Sequence, residues 1–392
     1  MKKYILVLIA SLLVGITTNL GHPITPYYIN QIELPKIVFG YFFATMSLGM
    51  LIFAPIWGSL GDYKGRKWIL IICLIFYGVG QLLFGILRTP VLIVLARFFS
   101  GIFSGGILTS LLSYIPRSKD LSKYSQSRIT ATFISLHLVG TSLGSFIGGA
   151  LGDICAPNYH YVFFIQAFLM LIFGLYVLFL MDFKDEQLAE RRSMNPLKSL
   201  SNIKILPIVL IIFLFIIGLI NITFTDVSKY LDVYFSDSGH GSLKLGTVNL
   251  VVGLVTLVVN LFLTPLILKK IKSLIVLSIL TFTGAIMLIL TFTLPNLLLN
   301  IYSFYMIYII AKAIIEPVIL KYLNEHKDIP SGILMGLRQS FISLGGIIGV
   351  LIGGFIYSYN SVLLFYLCAA ILLISSIAAI AIYFYQLKTI KN

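Results

Sequence analysis

Again and again along its 392 residues this chain runs for a bilayer's width in nearly pure hydrocarbon, pauses for a few polar residues, and resumes. About 20 consecutive apolar residues make a helix long enough to cross the hydrocarbon core. In lipid, a segment that cannot hand its backbone polar groups to water must satisfy them internally, as a helix or a closed barrel. Twelve such runs are readable, over residues 4–29, 37–60, 67–87, 90–115, 127–151, 159–181, 205–231, 244–267, 273–294, 298–320, 331–357 and 361–386. Composition agrees: the chain is 59% hydrophobic and 11% charged, where a soluble domain carries about 25% charge. The expected fold class is all-α, a polytopic membrane protein. The first residues, with Lys2 and Lys3 ahead of an apolar stretch, have the look of a signal peptide. The stretch continues to about Tyr28 and many like it follow, so it is read as the first span.

The connections are short except for MDFKDEQLAERRSMNPLKSLSNIK at 181–204, which divides the chain near its middle. This gives an expected organisation of two six-helix bundles, 1–182 and 205–392, joined by a linker at 183–204. The net charge of +14 does not mark a nucleic-acid binder, because the bases lie in small clusters between apolar runs. Apart from Arg97, Lys312 and Arg338 within spans, only Lys36, Arg88, Lys229 and Lys244 fall at the odd-numbered connections; the remaining bases lie at the termini and at the even-numbered ones. Positive charge stays inside, so both termini are expected in the cytoplasm. Cys73, Cys155 and Cys368 are far apart, form no metal-binding spacing, and read as small hydrophobes.

A repeat supports the two halves. LGSFIGGALGD (143–153) ends the fifth span and IGVLIGGFIYS (348–358) ends the eleventh. Gly144, Gly148 and Gly149 in one are echoed by Gly349, Gly353 and Gly354 in the other. Internal repeats of this kind mark secondary transporters.

The connection between the second and third spans, GSLGDYKGRK (58–67), is the most informative stretch. Gly58 and Gly61 permit close helix approach, Gly65 suits a tight turn with positive φ, and Arg66 and Lys67 can reach headgroups or pair with acids. An ordinary positive-inside loop explains the bases but neither the glycines nor Asp62. The stretch resembles the signature loop of the major facilitator superfamily, matched at Gly58, Leu60, Asp62, Gly65, Arg66 and Lys67, and the resemblance extends over essentially the whole chain. It implies a carrier with alternating access, in which this loop is a conformational latch with Asp62 and Arg66 as its key residues. The counterpart in the second half, ILKKIKSL (267–274), keeps bases but lacks the aspartate and glycines.

Within that superfamily the chain is similar to bacterial drug–proton antiporters, including multidrug and quinolone exporters. Besides APIWGSLGDYKGRKWIL, the likeness rests on Arg97 and Gly101 in ARFFSGIFSG and on the spaced glycines Gly140, Gly144, Gly148 and Gly149. Ser145 stands where the family pattern usually has proline. The resemblance implies a small-molecule substrate, protons as coupling ion, a lipid environment in the bacterial plasma membrane, a monomer, and no cofactor.

Charges within spans are costly and therefore functional candidates. Arg97 fits a proton relay, where it would tune an acid, or a bundle-bracing arginine. Lys312 and Glu316 lie four apart on one helix face and can pair, either as a structural bridge or as a proton switch. Arg338, on the next span at similar depth, can compete for Glu316 or bind an anion. Asp226, in NITFTDVSKY, is the rival proton site or a rim residue; it and Glu316 are the deeply placed acids in this reading. His137 titrates near neutral pH or packs by hydrogen bonding. Tyr27 and Tyr28 are candidates for stacking on an aromatic or cationic substrate.

No nucleotide loop, metalloprotease HExxH or nucleophile elbow occurs, and the acids are dispersed, so neither an enzyme nor an ATP-driven pump is expected. The readings left are proton-coupled efflux of amphipathic small molecules and, as the alternative, carriage of a specific polar or anionic metabolite in either direction.

Overall fold

The computed structural model describes residues 2–113, 123–180, 203–204, 206–326, 329 and 331–391. Among the described residues the chain is helical and without strands. Its helices are α1 (Lys2–Asn19), α2 (Thr25–Gln31), α3 (Ile37–Lys64), α4 (Arg66–Ile86), α5 (Pro90–Ser113), α6 (Lys123–Cys155), α7 (His160–Leu180), α8 (Ile208–Asp237), α9 (Ser242–Val258), α10 (Thr264–Lys270), α11 (Ser273–Thr293), α12 (Leu297–Asn300), α13 (Met306–Glu325), α14 (Ser331–Tyr359) and α15 (Ser361–Lys391). Among the described residues, eleven helical runs are long and apolar enough to cross a membrane.

The first expected span departs from a single helix. Its apolar stretch in α1, Ile5–Asn19, is short, and the chain turns before resuming as α2, which has proline in its first turn. Pro23 cannot donate a backbone hydrogen bond, and Pro26 suits a helix start rather than an interior. Two other spans each contain a π-helical turn, Val259–Leu263 between α9 and α10 and Ile301–Tyr305 between α12 and α13. By contrast α13 runs unbroken through Pro317.

The chain forms two compact units, one of Met1–Pro196 with Phe235–Gly253, the other of Leu197–Tyr234 with Leu254–Asn392. In the first, α3 packs on α5, α1 on α6, and α4 on α5 and α7. Leu70, Cys73, Leu74, Met170 and Phe173 lie in its core. In the second, α11 packs on α13 and α15. Apolar side chains also face outwards, Phe179 at 75% and Phe355 at 68% exposure. That is the surface a lipid solvent demands.

Lipid offers no hydrophobic drive for helix pairing, so close contact must come from small residues. The glycine repeat supplies it in both units. A β-carbon at Gly140 or Gly144 of α6 would run into the backbone carbonyls of Leu12 or Ile16 of α1, and one at Gly148 into that of Leu20 just beyond α1. In the other unit, Gly345 of α14 abuts Gly218 of α8, and Gly349 abuts Ile222. Gly149 faces a further neighbour, the Ser242 carbonyl. Ser145, in the position of the family's proline, lies inside an uninterrupted α6, where it is buried.

Candidate functional site

In the second unit the acids and bases of the spans separate into distinct environments. Asp226, on α8, is 3% exposed. Its Oδ1 lies against the glycines of α14: a β-carbon on Gly349 would come within 3.1 Å of it and one on Gly353 within 2.8 Å. The glycine seam is thus the cradle of a carboxylate. Oδ1 has no hydrogen-bond partner among the described residues. Around it, Tyr230 donates to the Val350 carbonyl at 2.7 Å, and Thr223 donates to that of Cys368 at 3.1 Å. Both bonds tie α8 to its neighbours and hold the aspartate's helix in place. Tyr308 of α13 is within electrostatic reach of Asp226, and its buried hydroxyl has no hydrogen-bond partner among the described residues.

Glu316 takes the second of the partners expected for it. Arg338 of α14 donates from Nη2 to Glu316 Oε2, whereas Lys312 lies over the Phe224 ring, its Nζ 5.1 Å from the centroid. The contact from α14 supersedes the pairing of two residues on one helix face. A guanidinium offers a planar fork to a carboxylate, and Lys312, with Lys229 also in electrostatic reach, has an aromatic face to rest on.

Sequence reasoning misses Asp232, which is 2% exposed. A seventh span ending at residue 231 leaves it out, whereas α8 continues to Asp237. The signal that finds it is YLDVYF, apolar on both sides of the acid. Asp232 acts electrostatically on Tyr305, whose ring centroid is 5.5 Å from that of Tyr308. Two buried carboxylates on α8 thus each lie within electrostatic reach of a buried tyrosine of the α12–α13 run, Tyr305 at the end of its π turn and Tyr308 three residues on.

In the first unit Arg97 is 7% exposed. Its Nη1 donates to Gln81 Oε1 at 3.2 Å and its Nη2 to Thr25 Oγ1 at 3.4 Å. The guanidinium carbon lies 3.5 Å from the Phe84 centroid. Among the described residues no carboxylate pairs with it; hydroxyl, amide and π-face carry its charge. His137 keeps its Nδ1 buried and unpartnered among the described residues. Tyr28 belongs to the core: it is 0% exposed, and its hydroxyl donates to the carbonyls of Phe84 or Gly85 at 3.1 and 3.0 Å. The Tyr27 hydroxyl donates to the His240 carbonyl at 2.7 Å. Neither ring is a free stacking platform.

The 58–67 stretch ends α3 and begins α4. Gly65 joins them at φ 99° and ψ 128°, a backbone that only glycine adopts without strain. A β-carbon on Gly58 would only touch the Thr109 methyl, at 3.4 Å. Arg66 is 5% exposed, turned inwards rather than towards headgroups, while Lys67 is half-buried. The side chain of Asp62 lies outside the described residues.

A family model for the Major Facilitator Superfamily matches residues 7–328. The chain belongs to that superfamily and is a membrane transporter, not an enzyme. It is 26% identical over 376 residues to Multidrug resistance protein 1 of Bacillus subtilis (strain 168), covering 92% of this chain and 90% of that one. It is 28% identical over 161 residues to Quinolone resistance protein NorA of Staphylococcus aureus, covering 39% of each chain. The crystal structure of the nucleoside transporter NupG superimposes with a TM-score of 0.73 at 14% identity, covering 98% of this chain and 99% of that one, a likeness of fold.

Proposed function

We propose that this transporter expels amphipathic small molecules in exchange for protons, by alternating access of two bundles, 1–182 and 205–392, with Asp226 as the proton-carrying residue. The observation that carries the coupling is the contrast between the acids. Glu316 is neutralised by Arg338, while Asp226 is buried against glycines with Oδ1 unsatisfied among the described residues. A buried charge is costly unless paired or wetted, so a state change that wets Asp226 exchanges its proton with water. The multidrug resistance relatives support the substrate class. Gly58, Asp62, Gly65, Arg66 and Lys67 act as the latch between states, and Arg97 with its polar cage braces the other bundle. The distribution of basic residues favours a plasma-membrane protein with cytoplasmic termini; single cysteines at Arg88 and Lys67 should be labelled from opposite sides.

The deciding experiment is transport in proteoliposomes under an imposed pH gradient, screened with lipophilic cationic dyes and organic anions. Asp226→Asn should keep substrate exchange and lose uphill accumulation, with Glu316→Gln retaining it. Gradient-driven accumulation by Asp226→Asn would remove Asp226 from the coupling role. A second reading, carriage of a specific anion, draws on Lys312, which has no carboxylate ion pair among the described residues and rests on an aromatic face. Selective uptake or release of organic anions in the same screen would favour it.

A further inference from the structure

A cavity of the second unit lies away from the acids of the spans, at the junction of α10, α11, α13 and α15, with a volume of about 380 Å³. It sits on the loop that replaces the 58–67 stretch in the second half. There Ile271 and Lys272 are extended between two helices, with no positive-φ glycine. Lys269 and Lys272 from this turn and Lys321 from α13 line the cavity, with Glu325 as its one acid among the described residues. Lys321 is committed to shaping it: Nζ donates to the Leu268 carbonyl at 2.7 Å. Glu325 is also engaged, accepting from Ser273 Oγ at 3.1 Å. Lys272 rests over the Tyr383 ring with Nζ 5.3 Å from its centroid, a position from which it can swing into the cavity. Leu387 and Ile271 give the lining an apolar part, and Ile271 is 43% exposed.

Lysines that merely obey the charge rule point separately into solvent. These line one chamber from two elements, beside Tyr322, Tyr383, Ile271 and Leu387. We infer that this cavity is a binding site for a phosphate-bearing anion, held by Lys269 and Lys272, and that the adjoining Leu387 and Ile271 suit the acyl chains next to the phosphodiester of an anionic phospholipid. Lysine binds phosphate as a point charge, and basic pockets between membrane helices take acidic headgroups. The inference is independent of the transport reading.

The test uses the purified full-length protein in detergent, with native mass spectrometry of bound phosphatidylglycerol against phosphatidylcholine. Wild type should retain phosphatidylglycerol preferentially. Lys269→Gln/Lys272→Gln should weaken that retention by at least about tenfold, and Lys269→Arg/Lys272→Arg should restore it. Leu387→Trp, which fills the chamber and keeps every charge, should weaken it as well. Lys388→Gln, exposed on the same helix end but not lining the cavity, should leave it unchanged. Wild-type retention in the double glutamine variant, or an equal loss in Lys388→Gln, would overturn the site. Wild-type retention in a folded Leu387→Trp would reduce it to diffuse surface charge and overturn it too. Inorganic phosphate added to delipidated protein separates the sources. A rise in melting temperature that needs Lys269 and Lys272, without preference for phosphatidylglycerol, assigns the site to a soluble phosphate. No response to either ligand overturns the inference.

Discussion

A β-carbon on Gly353 would stand 2.8 Å from Oδ1 of Asp226. Helix packing and a buried acid therefore meet at one point, and a side chain added at the glycine is felt by the carboxylate.

Gly353→Ala should destabilise the protein by about 1–3 kcal/mol, the usual cost of overpacking, read as a lower melting temperature in detergent. Gly346→Ala, whose new methyl would meet only Thr225 Oγ1 at an ordinary 3.4 Å, should be tolerated. Because the clash is with the carboxylate as well as with the Tyr230 ring, Asp226→Ala should recover part of the loss in the double variant. Strict additivity of the two substitutions would contradict the cradle.

The pairing of Glu316 predicts a non-additive cycle. Arg338→Gln and Glu316→Gln should each cost on the order of 1 kcal/mol, a modest figure because the Glu316 side chain is 37% exposed and partly screened. The double variant should cost little more than either single one. Lys312→Gln combined with Glu316→Gln should be nearly additive by the same thermal measurement. The reverse pattern would return Lys312 to the role of partner.

Gly65→Ala should slow transport, because a β-carbon at φ 99° costs about 1–3 kcal/mol in the conformation that joins α3 to α4. Asp62→Asn should slow turnover while equilibrium substrate binding is kept. Unchanged initial rates in both variants would separate this turn from the conformational cycle.

The turn at 238–241 should loosen in acid. Burial, and secondarily Lys244, hold the His240 imidazole below its ordinary value, so the folded state favours the neutral ring. Its contribution is complete above the unfolded value of about 6.5 and is lost as pH falls through the lower folded value. Hydrogen exchange of the segment around His240 should accelerate on going from about pH 7.5 to below about pH 6, beyond the intrinsic pH effect, in wild type but not in His240→Asn. Equal behaviour of the two proteins would assign any acid effect elsewhere.

The helices are legible in the sequence because length and hydrocarbon content are what a bilayer selects, and both are local. The positive φ of Gly65 is legible too, since a glycine before two bases at a helix junction has few other uses. What escapes depends on neighbours the sequence does not display. The choice of Arg338 over Lys312 is made by α14 passing α13. The inward turn of Arg66 depends on packing around the turn. The break near Pro23 is signalled by its prolines but hidden under continuous hydropathy. Asp232 is lost to a span ended too early, an error of boundary rather than of chemistry.

The two glycine seams bring helices together in the same way but do not meet the same side chain. Aligned by their stagger, Leu20 in the first half occupies the place that Asp226 holds in the second. One copy of the duplicated joint is therefore electrically silent, while the other can change its charge. With Asp226 in the coupling role proposed above, a proton would act on one of the two joints and leave the other untouched.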